Sequence, residues 1–71
     1  MTTHSNDYHQ MLERLKQARV DAGLSQQEVA DLLNKKQSYI SKVESGERRV
    51  DIIEIKNLAE IYKKELSYFV S

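Results

Sequence analysis

QQEVADLLNKKQSYISKV, residues Gln26 to Val43, reads as a helix, a short polar turn and a second helix. Ala30 falls one turn after Gln26, on the face to be buried. Asn34 stands where the chain must reverse, and Ile40 and Val43 return to pack on the first helix. Asparagine tolerates left-handed backbone better than most residues other than glycine, which suits that reversal. Gln37, Ser38, Ser41 and Lys42 project away from the Ile40–Val43 seam, so the second helix keeps a polar outer face. A short helix rich in hydrogen-bonding groups and braced by a neighbour has the form that enters the DNA major groove.

Start signals on either side fix the frame of this unit. Ser25-Gln-Gln-Glu28 is a capping box flanked by Leu24 and Val29 as a hydrophobic staple. The same grammar returns at Val50, Asp51-Ile-Ile-Glu54 and Ile55. The second helix of the unit must therefore lie between the Asn34 turn and Gly46, over Gln37 to Ser45. Upstream, Met11, Leu15, Ala18 and Ala22 recur at helical spacing and predict a helix from about Tyr8 to Ala22, closed by Gly23 in left-handed conformation. Downstream, Ile52, Ile55, Leu58, Ala59 and Ile61 or Tyr62 form the inner side of a fourth helix. A last short helix, Leu66 to Val70, follows. The expected architecture is all-α: a loose tail over residues 1–6, then one compact five-helix domain over 7–71.

With 71 residues and 39% hydrophobic content, the chain has room for one small domain with a thin core. Small domains often gain stability by pairing. Proline is absent and glycine occurs only at Gly23 and Gly46, which fits helices joined by short turns. The absence of cysteine excludes disulfides and thiolate zinc sites. The N-terminal MTTHSNDYHQ is polar, and no apolar run approaches membrane-spanning length, so a soluble cytoplasmic protein is expected. His4 and His9 alone do not make a metal site, because structural zinc takes four dedicated ligands.

Formal net charge is zero, but the charges are unevenly placed. Lys35, Lys36, Lys42, Arg48 and Arg49 fall in one segment, opposed only by Glu44 and Glu47. The positive charge coincides with the polar helix and the loop after it.

The order of elements, with Arg19, Gly23-Leu24-Ser25-Gln26, Ala30, Ile40, Val43-Glu44 and Gly46, resembles the phage Cro/repressor helix-turn-helix family, also called the xenobiotic-response-element (XRE) type. The resemblance covers Leu12 to Val70 and implies a lambda-repressor-like domain that binds double-stranded DNA as a homodimer, with the third helix in the major groove. It implies base or groove contact by Gln37, Ser38 and Lys42, with Tyr39 and Ser41 at the edges of that face. Gln pairs bidentately with adenine, and Lys donates to guanine. Gln26 is similar to a family glutamine that bonds a phosphate and steadies the recognition helix. Lys36, Arg48 and Arg49 look like phosphate clamps, which set affinity and salt dependence rather than sequence choice. Lys35 sits further from the expected groove. Arg19 and Glu44 match a structural ion pair tying the first helix to the third. Tyr62, Tyr68 and Phe69 are candidates for a dimer interface, since the family commonly dimerises through this region.

Three positions depart from the family pattern. Asn34 replaces the usual turn glycine. Lys63 stands where a glycine often closes the fourth helix, so that helix is expected to run on and tilt the last one. Lys36 holds a position often taken by Ser, Thr or Pro, which leaves the third helix poorly capped. The leading expectation is a transcriptional regulator on a pseudo-palindromic operator, with half-sites roughly 10 base pairs apart. The competing expectation is an antitoxin-like or adaptor module that binds a partner protein, with DNA binding weak or absent. An enzyme is not expected: no nucleophile–base pair, phosphate loop or metal set is visible, and no cofactor or small-molecule ligand is implied.

Overall fold

The computed structural model describes residues 3–70, with side chains from residue 7 onward. Among these residues the elements are α1 (Thr3–Asp21), α2 (Gln26–Leu32), α3 (Gln37–Ser45), α4 (Ile52–Tyr62) and α5 (Leu66–Val70). The fold is all-helical, as the periodicity predicts.

Local hydrogen bonding explains where the helices begin. Ser25 Oγ accepts the Glu28 N–H at 3.0 Å while Glu28 Oε1 accepts the Ser25 N–H at 2.8 Å. Asp51 and Glu54 repeat the exchange at 2.8 and 2.9 Å. Each box satisfies two backbone donors that a helix start would otherwise leave open. At α3, Lys36 provides no side-chain cap, so its first turn lacks that support.

The ends of three helices share one device. Gly23, Asn34 and Lys63 all take positive φ, at 73°, 58° and 59°. In each case the N–H of that residue and of the next reach back to carbonyls of the last turn. The pairs are Gly23 to Val20 and Leu24 to Arg19, Asn34 to Asp31 and Lys35 to Ala30, Lys63 to Glu60 and Lys64 to Ala59. Two satisfied carbonyls stop a helix even where the residue is not glycine. The expectation that α4 would run on through Lys63 is therefore corrected: α4 stops at Tyr62 and the chain turns directly into α5. Gly46 closes α3 at φ 87°, and a Cβ there would lie 3.3 Å from Leu12 Cδ1, so the turn is tight as well as left-handed.

The core is built where the five helices converge. Leu15, Val29, Ile40, Val43, Leu58 and Phe69 are its largest fully buried side chains. Several sequence expectations shift by a fraction of a turn. α1 begins at Thr3, ahead of the expected Tyr8, and residues 1 and 2 of the expected tail lie outside the described residues. Leu12 is buried in α1, while Ala22, past the helix end, is exposed. On α4, Tyr62 turns inward and Ile61 is only half-buried, while Ile52, in the first turn, is 53% exposed.

Tyr62 and Phe69 are only 4% and 2% exposed, which corrects their place among dimer-surface candidates: they fill the protein's own core. Tyr68 is half-buried, edge-on to Phe69 at 5.0 Å between ring centres, with the Lys64 ammonium 4.7 Å from its ring. Outward from α5 stand Leu66 and Val70.

Candidate nucleic-acid interface

A residue in an α-helix turns by about 100° from its predecessor, so α3 has three distinguishable sides. Ile40 and Val43 point into the core, each 1% exposed. Opposite them lie Ser38, Lys42 and Ser45, all exposed, with Ser41 half-buried beside them. The flanks belong to Gln37 and Glu44 on the α2 side and to Tyr39 on the α4 side.

On the α2 flank a continuous chain of hydrogen bonds runs from the interior to the surface. Arg19 Nε donates to Glu44 Oε2 at 2.7 Å and Nη2 to Oε1 at 3.2 Å, a two-point contact. Arg19 Nη1 also donates to the Leu24 carbonyl at 2.9 Å. Glu44 Oε1 accepts from Gln26 Nε2 at 2.9 Å, and Gln26 Oε1 accepts from Gln37 Nε2 at 2.6 Å. Four side chains from α1, α2 and α3 thus form one network ending at an exposed amide. Such a network fixes the rotamers of its members in a way that single contacts do not. The hydrogen bond to Glu44 raises the Arg19 pKa against the opposing effect of burial, so the guanidinium is a fixed positive charge.

Gln26 braces the recognition helix, since its Nε2 donates to Glu44 and its Oε1 accepts from Gln37, and its second amide hydrogen has no partner among the described residues. Gln37 keeps its Oε1 and its second amide hydrogen, the pair of atoms that matches the adenine edge.

The α4 flank is different. Tyr39 is half-buried, and its hydroxyl donates to Glu54 Oε2 at 2.8 Å. Its ring lies against the Arg48 guanidinium at 4.7 Å and the Lys35 ammonium at 5.2 Å. Burial, and then the bond to Glu54, push the Tyr39 pKa up to about 12. Tyr39 therefore leans on α4 at the edge of the face that Ser38 and Lys42 occupy, with its hydroxyl committed to Glu54. Arg48 Nη1 donates to the same Glu54 Oε2 at 3.0 Å and to the Arg49 carbonyl at 3.2 Å. Burial pushes the Glu54 pKa up, but the Asp51 N–H, Tyr39 and Arg48 together outweigh it and hold it below the ordinary value.

The remaining cations divide between α3, with Lys36 and Lys42, and the α1 side, with Arg49. Lys36 is exposed immediately before α3, and Lys42 is exposed near its end. The Arg49 guanidinium lies 4.4 Å from the Tyr8 ring, and the Tyr8 hydroxyl accepts the Val50 N–H at 3.2 Å. These contacts pin the loop after α3 to α1. Basic side chains with uncapped helical N–H groups between them suit phosphate oxygens.

Sequence reasoning missed Glu54, Tyr8 and Ser45. Ser45 was legible, since it lies two turns after Ser38 on the same face. Tyr8 carried no signal beyond its place at a helix start. Glu54 was recognised only as a capping residue, through one of its two carboxylate oxygens. Among the described residues no group of three His, Cys, Asp or Glu could hold a metal. His4 lies outside the described side chains. No helix among them is long and apolar enough to cross a membrane.

Two helices joined by a left-handed turn, the second with a polar outer face, define a helix-turn-helix protein. The model of the family described as Helix-turn-helix matches residues 15–69, and the chain belongs to that family, whose type is the Cro/repressor or XRE group of DNA-binding regulators. No curated protein matches the chain.

Proposed function

We propose that this chain is a sequence-specific transcriptional regulator that binds a pseudo-palindromic operator as a homodimer, with α3 in the major groove. The observation that carries this reading is the Arg19–Glu44–Gln26–Gln37 network. It holds an exposed, adenine-compatible amide rigidly at the start of a helix whose outer face is otherwise Ser38, Lys42 and Ser45. Gln37, Ser38 and Lys42 read base edges, with Ser41 at the margin. Lys36, Arg48 and Arg49 contact phosphates, and Lys35 adds to the local positive field. Regulation then follows from occupancy of a promoter-proximal site.

The test is a titration of a fixed duplex at several salt concentrations. A protomer that neutralises phosphates with Lys36, Arg48 and Arg49 gives a slope of log K against log salt that loses about 0.9 for each cation removed. Affinity that ignores salt, or no binding of duplex DNA, would place the partner-protein reading first. The oligomeric part is checked by sedimentation with and without duplex: two protomers per duplex support it, and one protomer per duplex at saturation contradicts it.

A further inference from the structure

Glu54 stands out as an acid at the edge of a cationic surface. By charge alone it would weaken the attraction of that surface for phosphate. Its carboxylate is nevertheless engaged on both oxygens: Oε1 accepts the Asp51 N–H at 2.9 Å, and Oε2 accepts from Tyr39 Oη at 2.8 Å and Arg48 Nη1 at 3.0 Å. One residue of α4 thereby fixes a side chain of α3 and a cation of the intervening loop. The Tyr39 ring adds a second support beneath the Arg48 guanidinium.

The division of Arg48 donors is informative. Nη1 is occupied by Glu54 and the Arg49 carbonyl, whereas Nη2 and Nε have no hydrogen-bond partner among the described residues. A guanidinium offers its donors as a planar fork, and the edge left open is a two-point site for a phosphate. An arginine already ordered loses less freedom when it binds than one moving freely in solvent. The repulsion Glu54 would exert is muted, because three donors already compensate its charge and exposed charges are screened within roughly 8 Å at physiological salt.

We propose that Glu54, acting with Tyr39, is a positioning residue for the DNA interface: the clasp presents the Nη2–Nε edge of Arg48 to a backbone phosphate beside α3. The inference rests on the DNA-binding reading above. It has an unusual consequence, because removing an acid from a DNA-binding surface should then weaken binding.

Glu54→Gln is the informative substitution, since glutamine serves in a capping box and α4 keeps its start. Duplex affinity is measured across salt for wild type, Glu54→Gln, Arg48→Ala and the double variant, with melting curves confirming that each is folded. Tyr39→Phe, which removes one hydroxyl and no charge, gives an independent second readout. The expected result is a loss of about 2- to 5-fold for Glu54→Gln, the range of a partly exposed ion pair. The salt slope should fall by about 0.9 per protomer, as it does for Arg48→Ala. Adding Glu54→Gln to Arg48→Ala should change neither quantity further. Tighter binding with a steeper slope would mean that Glu54 competes with DNA for Arg48, and an unchanged slope would leave Glu54 a purely local stabiliser; either overturns the proposal. Wild type that binds duplex without salt dependence would overturn the DNA reading itself, and that is seen before any variant is made.

Discussion

Arg19 and Glu44 meet on one flank of α3 with 11% and 6% of their side chains exposed, whereas Arg48 and Glu54 meet on the other with 43% and 21%. The chemistry is the same and the surroundings are not. In this partly buried pair the guanidinium touches both carboxylate oxygens, and Glu44 Oε1 also takes Gln26. Removing either partner strands a charge in a poorly solvated place. In the exposed pair one nitrogen touches one oxygen, and water can replace either group. Burial thus suits the first pair to holding the fold, whereas the second is the pair we propose aims a cation. The same guanidinium–carboxylate pattern in a sequence can serve either end, and its depth in the fold decides which.

The largest test of that contrast is Arg19→Ala or Glu44→Ala, each expected to cost about 3–5 kcal/mol by chemical denaturation. Arg48→Ala is expected to cost no more than about 1 kcal/mol. Equal losses from the two arginines would erase the distinction. Next come the caps: Ser25→Ala and Asp51→Ala should each lose about 1 kcal/mol. Asp51→Ala should in addition loosen the Tyr39–Glu54–Arg48 clasp, visible as a lower Tyr39 pKa in ultraviolet titration. Smaller still, Lys63→Gly should stabilise by roughly 0.5 kcal/mol, because relief of left-handed strain exceeds the extra freedom glycine has when unfolded. A loss of stability there would mean that the lysine side chain contributes more than its backbone strain removes.

The smallest effect is in acid. Glu54 has a folded pKa below its ordinary value, so its contribution is fully present above about pH 4.3 and is lost as pH falls through the lower folded value. The stability difference between wild type and Glu54→Gln should therefore narrow over that acid range and stay constant from pH 5 to 8, as read from urea midpoints at each pH.

Much of this fold was legible because its start signals are local. Ser25–Glu28 and Asp51–Glu54 declare two helices, and the bounds of α3 and α5 follow from what must fit between and after them. The inward pair Ile40 and Val43 likewise follows from spacing alone. Lys63 was misread because glycine is the common way to close a helix, while the stop here comes from two backbone hydrogen bonds that composition does not reveal. Ile52 was misplaced because helical period gives a direction but not whether a neighbouring helix reaches that turn. Helical spacing puts Tyr39 at the edge of the groove face, and only the position of α4 shows that Glu54 captures its hydroxyl. Contacts within four residues could be read from the sequence, while those between distant helices required the fold.

The most direct test of the central claim is selection of bound duplexes from a random pool at near-physiological salt, using wild type and a Gln37→Ala/Lys42→Ala double variant. Both side chains are exposed, so the variant should fold normally. The account predicts an enriched palindrome with half-sites roughly 10 base pairs apart that the variant no longer selects. No enrichment by wild type, or the same sequences recovered with both proteins, would contradict base reading by α3.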